Sequence, residues 1–199
     1  MSQLNAAQLR AALGNCIIGR EIVVLEETTS TNDAIRQRAT SLTPEGLVVF
    51  AEHQTAGRGQ RGNRWESVSQ KGLWFSILLR PKIEIDKSVR LTAWAAETVA
   101  SAIHERFSLG AIVKAPNDVQ LDGRKVAGVL VEMRAQENAP HIAIAGIGIN
   151  VNHTAADFPE ELRSSATSLA IALHRQVDRA EFATALLRSL DRIYTESFG

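Results

Sequence analysis

Apolar and polar positions alternate with two different periods along this chain. Leu91, Trp94, Ala95, Thr98, Val99, Ala102 and Ile103 recur at three- and four-residue spacing, which predicts a helix over 88–107. The segment 179–197 has the same period in Phe182, Leu186, Leu190, Ile193 and Tyr194, and Asp178 with Glu181 three residues on forms a capping-box-like start. Shorter runs rich in Val and Ile predict strands at 21–27, 45–54 and 71–81, the last ended by Pro81. Residues 111–133 read as strand, turn and strand, because Asp122-Gly123 is a strong two-residue hairpin signal. A further strand is predicted over 141–152. Helices are predicted over 3–13 and 30–39, the second opening on side chains that cap helices, and one more precedes the last. Helices and hairpins are interspersed rather than strictly alternating. The expected class is therefore α+β with a mixed, largely antiparallel sheet.

Composition narrows the functions. The 199 residues contain 22 Lys plus Arg and 22 Asp plus Glu, so a general nucleic-acid or membrane-surface binder is not indicated and any anion site must be local. One cysteine, Cys16, allows neither an internal disulfide nor a Cys–Cys zinc site. The first residues lack the basic and apolar regions of a signal peptide, and no run approaches the ~20 apolar residues of a membrane helix. A cytoplasmic protein of one domain is expected. The five histidines show neither metal spacing nor a nucleophile partner, so none receives a role.

Against zero net charge, "QTAGRGQRGNRW" (54–65) gathers three arginines and three glycines with no acid. Gly57 and Gly62 have the spacing of a phosphate loop, but no Gly-Lys-Ser/Thr follows. Gly57, Gly59 and Gly62 match a dinucleotide fingerprint, yet a strand rather than a helix comes next. A kinase glycine loop lacks its downstream motifs. The segment is either a solvated loop or one that orders around anions, with glycines admitting close backbone approach and arginines supplying forked donors.

Other short segments carry similar alternatives. In "KAPND" (114–118), Pro116 restrains Ala115 and so aims Lys114, Asn117 and Asp118, or the segment is a plain turn. Lys125 heads an apolar strand, as an edge lysine or a site cation, and Gly128 would let a group approach the backbone. "TTSTN" (28–32) caps a helix or binds at its N-terminus, and "GIGIN" (146–150) packs strands closely or lines a site.

Together, "STN" (30–32), "QTAGRGQRGNRW" (54–65), "KAPNDV" (114–119), "GRKVAGVLVE" (123–132) and "GIGINVN" (146–152) resemble, in order, the motifs of the biotin–protein ligases. The resemblance spans about Val23 to Val151. It implies a biotin/lipoate ligase-like, class II synthetase-like catalytic domain. It also implies two half-reactions: biotin and ATP give biotinyl-5′-AMP, and a lysine of a biotin carboxyl carrier domain then takes the biotin. Magnesium is implied by ATP alone, and a homodimer is among the partners the family allows. A lipoate-ligase-like acyltransferase and a non-catalytic binder of biotin or its adenylate are the alternatives.

By position, the resemblance implies that Ser30, Thr31, Asn32 and Gln54 form the polar wall of a biotin pocket, with Gly59, Gln60, Gly128 and Gly146 beside it. Arg58 would contact both carboxylate and phosphate, and Lys125 would bridge them as the first catalytic candidate. Asp118 would orient the acceptor lysine or take its proton. Arg61, Arg64, Trp65, Asn117 and Asn150 would serve ATP. Three departures stand out. Gln60 and Ala115 occupy positions where the family usually has arginine and tryptophan, the latter implying a refilled or wider pocket. The chain also leaves no room for a C-terminal SH3-like barrel or an N-terminal helix-turn-helix domain, so DNA is not an expected partner.

Overall fold

The computed structural model describes residues 3–40, 42–136 and 141–198. Seven strands form one sheet in the order β1-β2-β3-β7-β6-β5-β4. They are β1 (Glu21–Thr28), β2 (Leu47–Gln54), β3 (Gly72–Leu79), β4 (Ile112–Lys114), β5 (Asp118–Leu121), β6 (Arg124–Arg134) and β7 (Ile142–Asn150). Only β1 and β2 run parallel, joined through α2 (Thr31–Arg38), and every other pair is antiparallel. The mixed, largely antiparallel sheet agrees with the reading from sequence. The remaining helices are α1 (Ala6–Leu13), α3 (Ser88–Phe107), α4 (Leu169–Leu173) and α5 (Arg179–Phe198). Among the described residues, no helix is long and apolar enough to cross a membrane.

One correction falls on residues 111–133. They form three strands rather than two, because Lys114 pairs with Asp118 and Ala115–Asn117 must reverse the chain between them. The Ala115–Pro116 peptide is cis. The Asp122-Gly123 turn is as expected, both residues having positive φ (49° and 75°).

Alternation along the strands separates the two faces of the sheet. Val48 and Phe50 of β2, Phe75 and Ile77 of β3, Val129 of β6, and Ile147 and Ile149 of β7 point to the main core, shared with α3 and α5. The opposite face holds a smaller core under α2, with Ile35, Val49, Leu78 and Ile144. On that second face the same alternation places Trp74, Ser76, Gly128, Glu132, Gly146 and Gly148. The start of α5 is fixed to the sheet by a buried pair, Arg179 Nη1 donating to Glu52 Oε2 at 2.7 Å and to the Gly72 carbonyl at 3.0 Å.

Candidate active site

The second face of the sheet carries an open cleft of about 420 Å³ between α2, the 54–65 segment and strands β6 and β7. One wall is the start of α2. Ser30 holds the N-cap position without capping the helix. Gln54 takes over that task, its Oε1 accepting from the Thr31 amide at 2.8 Å and lying 3.2 Å from Thr31 Oγ1. Ser30 is thereby left lining the cleft, so the simple capping reading of 28–32 does not hold. Ser76 Oγ lies 2.7 Å from Thr31 Oγ1 and donates to Asn32 Oδ1 at 2.6 Å. Asn32 Nδ2 donates to Glu132 Oε2 at 2.7 Å. Both ends of that amide are thus fixed. Gly146 makes the arrangement possible, since a Cβ there would lie 2.3 Å from Asn32 Oδ1.

The floor is a hollow in the sheet. Gly128 and Gly148 stand opposite each other on β6 and β7. A Cβ on either would lie 2.8 or 2.7 Å from the Trp65 ring. Trp65 fills this hollow and meets Trp74 edge-on, with centroids 6.1 Å apart. The 54–65 segment reaches that position by folding into a small ribbon. Trp65 N donates to the Gly57 carbonyl at 2.9 Å and Gly59 N to the Asn63 carbonyl at 2.7 Å. Consecutive positive φ at Arg61 (58°) and Gly62 (79°) close the turn.

Two cations border the floor, each held by carboxylate. Lys125 Nζ lies 2.7 Å from Asp118 Oδ1 and 5.1 Å from the Trp65 centroid. The Asp118 contact is a charge contact rather than an aligned hydrogen bond, for that oxygen has no hydrogen-bond partner. Arg58 Nη1 donates to Asp33 Oδ2 at 2.5 Å, and Nη2 lies 3.3 Å from Glu132 Oε2. The Arg58 hydrogen bond holds the Asp33 carboxyl below its ordinary range, against the opposing effect of burial.

A second, larger cleft of about 1130 Å³ meets the first at Trp65 and Lys125, which line both. Arg64, Glu66, Lys114, Asp118 and Asp157 give its lining charge, and Val68, Phe158 and Leu162 give it apolar surface. Asn150 also lines it, donating Nδ2 to the Thr167 carbonyl at 3.0 Å. His153 is 2% exposed and stacks on Phe158, with centroids 5.2 Å apart and planes 17° apart. Burial pushes its pKa from 6.5 down to about 4, Asp157 opposing and Lys71 adding to the effect.

Eleven positions named from the sequence line the first cleft: Ser30, Thr31, Asn32, Gln54, Arg58, Gly59, Trp65, Asn117, Lys125, Gly128 and Gly146. Asp118, Arg64 and Asn150 line the second. Asn117 borders the first cleft and donates Nδ2 to the Val129 carbonyl at 3.2 Å. Gln60 and Arg61 border neither, because the turn carries them away from the sheet. Ala115 is exposed at its turn and lines neither cleft, so its small side chain leaves no gap in them to refill. The sequence reading missed Asp33, Ser76, Glu132 and His153. Strand alternation could have found Ser76 and Glu132, which share the face of Gly128 and Gly146. His153 had no local signal.

Residues 24–150 match the model of the Biotin/lipoate A/B protein ligase family. The chain is 36% identical over 194 residues to the Bifunctional ligase/repressor BirA of Bacillus subtilis, covering 98% of this chain and 60% of that one. It is 33% identical to the Biotin--[acetyl-CoA-carboxylase] ligase of Mycobacterium tuberculosis, covering 86% and 63%. The chain thus spans about 60% of these relatives' length. Its fold is similar to that of a biotin protein ligase from Aquifex aeolicus in complex with biotin and ATP, with TM-score 0.75, 31% identity and coverage of 90% and 73%.

The neutral state of His153 has a measurable consequence. Its folded pKa lies below the unfolded value, so the unfolded chain binds the extra proton and stability is complete only above pH 6.5. Stability should fall by up to about 3 kcal/mol as pH drops from 6.5 towards 4. Urea unfolding across this window measures it. His153→Phe should flatten the dependence there, and an unchanged slope would contradict the assignment.

Proposed function

The chain belongs to the Biotin/lipoate A/B protein ligase family, and on that premise we propose that it is an ATP-dependent biotin–protein ligase. It would form biotinyl-5′-AMP and pass the biotin to a lysine on a carrier domain. The observation that carries this reading is the position of Lys125, a cation lining two clefts at once. The first cleft offers a fixed polar wall (Ser30, Thr31, Asn32 and Gln54, with Ser76 buried behind them) suited to the donors and acceptors of a ureido ring. The second offers Trp65 and Phe158 for a base, and Arg64, Lys114 and Lys125 for phosphates.

In the first half-reaction a carboxylate oxygen of biotin attacks the α-phosphorus of ATP, and pyrophosphate leaves. The two reactants repel unless cations lie between them. Lys125 and Arg58 supply that charge. In the free protein both are neutralised by Asp118, Asp33 and Glu132, which keep the cations at the cleft until an anion competes for them. Magnesium arrives with ATP as part of the substrate. Among the described residues, no group of three or more His, Cys, Asp or Glu is placed to hold a metal. In the second half-reaction the acceptor ε-amine attacks the acyl carbonyl and AMP leaves, with Asp118 beside the reacting centre to take the proton. Polar side chains along the wall favour biotin over lipoate, whose dithiolane ring offers no hydrogen-bonding edge.

The test is biotin-dependent ATP–pyrophosphate exchange, followed by transfer to a carrier domain. Lys125→Ala should keep the fold and slow exchange by on the order of 10²-fold or more. Exchange at the normal rate would remove Lys125 from the mechanism.

Gln60 bears on retention of the intermediate. It stands in the ribbon turn as a neutral residue where the family usually has arginine. Position 60 borders neither cleft in the free protein, so an arginine there reaches the adenylate only through the ribbon folding over it. A charge-assisted bond made in that closed state contributes about 1.5–3 kcal/mol against ~1 for a neutral one, and an adenylate held without it would leave about tenfold faster. Gln60→Arg should therefore reduce biotin labelling of albumin, an irrelevant acceptor, in the presence of ATP and biotin. Equal labelling would show that Gln60 does not control release.

A further inference from the structure

Glu132 does not line the first cleft, yet it touches two residues that do. It stands on β6 in a neighbouring hollow with Arg36 and Ile144, its side chain about one-third exposed. Its Oε2 accepts from Asn32 Nδ2 at 2.7 Å and from Arg36 at 3.0 Å, and lies 3.3 Å from Arg58 Nη2. The shortest of these contacts goes to the amide, not to either guanidinium. A carboxylate that only neutralised arginines would not need it.

The two ends of a side-chain amide are alike in shape and opposite in chemistry, one donating and the other accepting. Ser76 cannot choose between them, since a hydroxyl does both. Glu132 can, because a carboxylate only accepts. Nδ2 is thereby turned towards Glu132, and Oδ1 towards Gly146, which lines the cleft. A Cβ on Gly146 would lie 2.3 Å from Oδ1 and 3.3 Å from Nδ2. Ser76 Oγ donates to Oδ1 at 2.6 Å and so takes one of its lone pairs. The other is left for a ligand. Arg36 and Arg58 in turn hold the carboxylate in place.

We infer that Glu132 is a positioning residue that fixes the Asn32 amide oxygen towards the first cleft, so that this wall selects a ligand presenting an N–H group there. This rests on the ligase reading above, in which that group is a ureido N–H of biotin. Turning the amide over would bring its oxygen against a carboxylate and lose a charge-assisted hydrogen bond. A ligand with an acceptor at that place is therefore disfavoured by Glu132, although Glu132 never touches it.

The probes are biotin and its two cyclic carbamate analogues, in each of which one ureido N–H is replaced by a ring oxygen. Binding of each to the unaltered chain, Glu132→Ala and Glu132→Gln is measured by calorimetry. Both analogues should bind the unaltered chain more weakly than biotin, because each leaves a polar group of the wall unpaired. Glu132→Ala frees the amide to turn its nitrogen towards the ligand. One of the two carbamates should then bind about fivefold or more tightly than it binds the unaltered chain, while biotin does not gain. Such a rise cannot come from damage to the site. Glu132→Gln keeps an acceptor oxygen where Asn32 and Arg36 both donate, and should leave all three affinities within about threefold. A Glu132→Ala chain in which neither carbamate gains, or a Glu132→Gln chain in which one gains as much, would overturn the inference. If Glu132→Ala does not fold, neutron diffraction from the unaltered chain decides. An Asn32 amide deuteron directed at Glu132 supports the inference, and a reversed amide overturns it. Failure of the unaltered chain to bind biotin would refute the ligase reading and the inference with it, whereas biotin binding with no gain by either carbamate would refute the inference alone.

Discussion

The site depends on a steric fact: Gly128 and Gly148 face each other across β6 and β7, and the Trp65 ring lies in the space that two side chains would have taken. A Cβ at either position would come within 3 Å of the indole. Seated there, Trp65 draws the arginine-bearing ribbon down onto the sheet. It also separates the two clefts and gives Lys125 a ring face to lie over at 5.1 Å. Gly146, two residues along β7, admits Asn32 by the same device. The polar wall and the cation wall are therefore both registered to one strand.

Electrostatics then acts on this frame. Arg58 and Lys125 are each about one-third exposed and each touch a carboxylate. Such contacts contribute little to stability, because solvent screens them and side-chain entropy opposes them. Their consequence is functional, since they hold flexible cations in place at little cost to a competing anion. Glu132 joins the two parts of the wall. It accepts from Asn32 at 2.7 Å, from Arg36 at 3.0 Å and from Arg58 at 3.3 Å, so the amide of the first cleft and the cation of the ribbon share one carboxylate.

Much of this was legible in the sequence where a local rule governs. The helix over 88–107 follows from its apolar period and appears at those bounds. The Asp122-Gly123 turn follows from its φ requirement. The glycines of "GIGIN" fall on one face and its isoleucines on the other, as a period of two demands. What was not legible depends on pairings distant in sequence. Alternation gives the face of Ser76 and Glu132 but not their partner, for Glu132 is 100 residues from Asn32 and Ser76 is 44 residues from it. A turn in "KAPND" was among the readings of the sequence, but the pairing of β4 with β5 on either side of it was not. His153 gained its environment only when Phe158 and Trp74 closed around it. Gln60 and Arg61 were assigned by their place in a motif, and the tight turn at Arg61-Gly62 carries both away from the clefts.

The central claim is that the two clefts form one site divided at Trp65 and bridged by Lys125. The most direct measurement is a crystal structure with a hydrolysis-resistant analogue of biotinyl-5′-AMP. The bicyclic ring should lie against Thr31 and Asn32, the base against Trp65 and Phe158, and the linking phosphate within hydrogen-bond reach of Lys125 Nζ, with its contact to Asp118 broken. An analogue lying wholly in one cleft, or Lys125 still paired with Asp118 and remote from the phosphate, would contradict it.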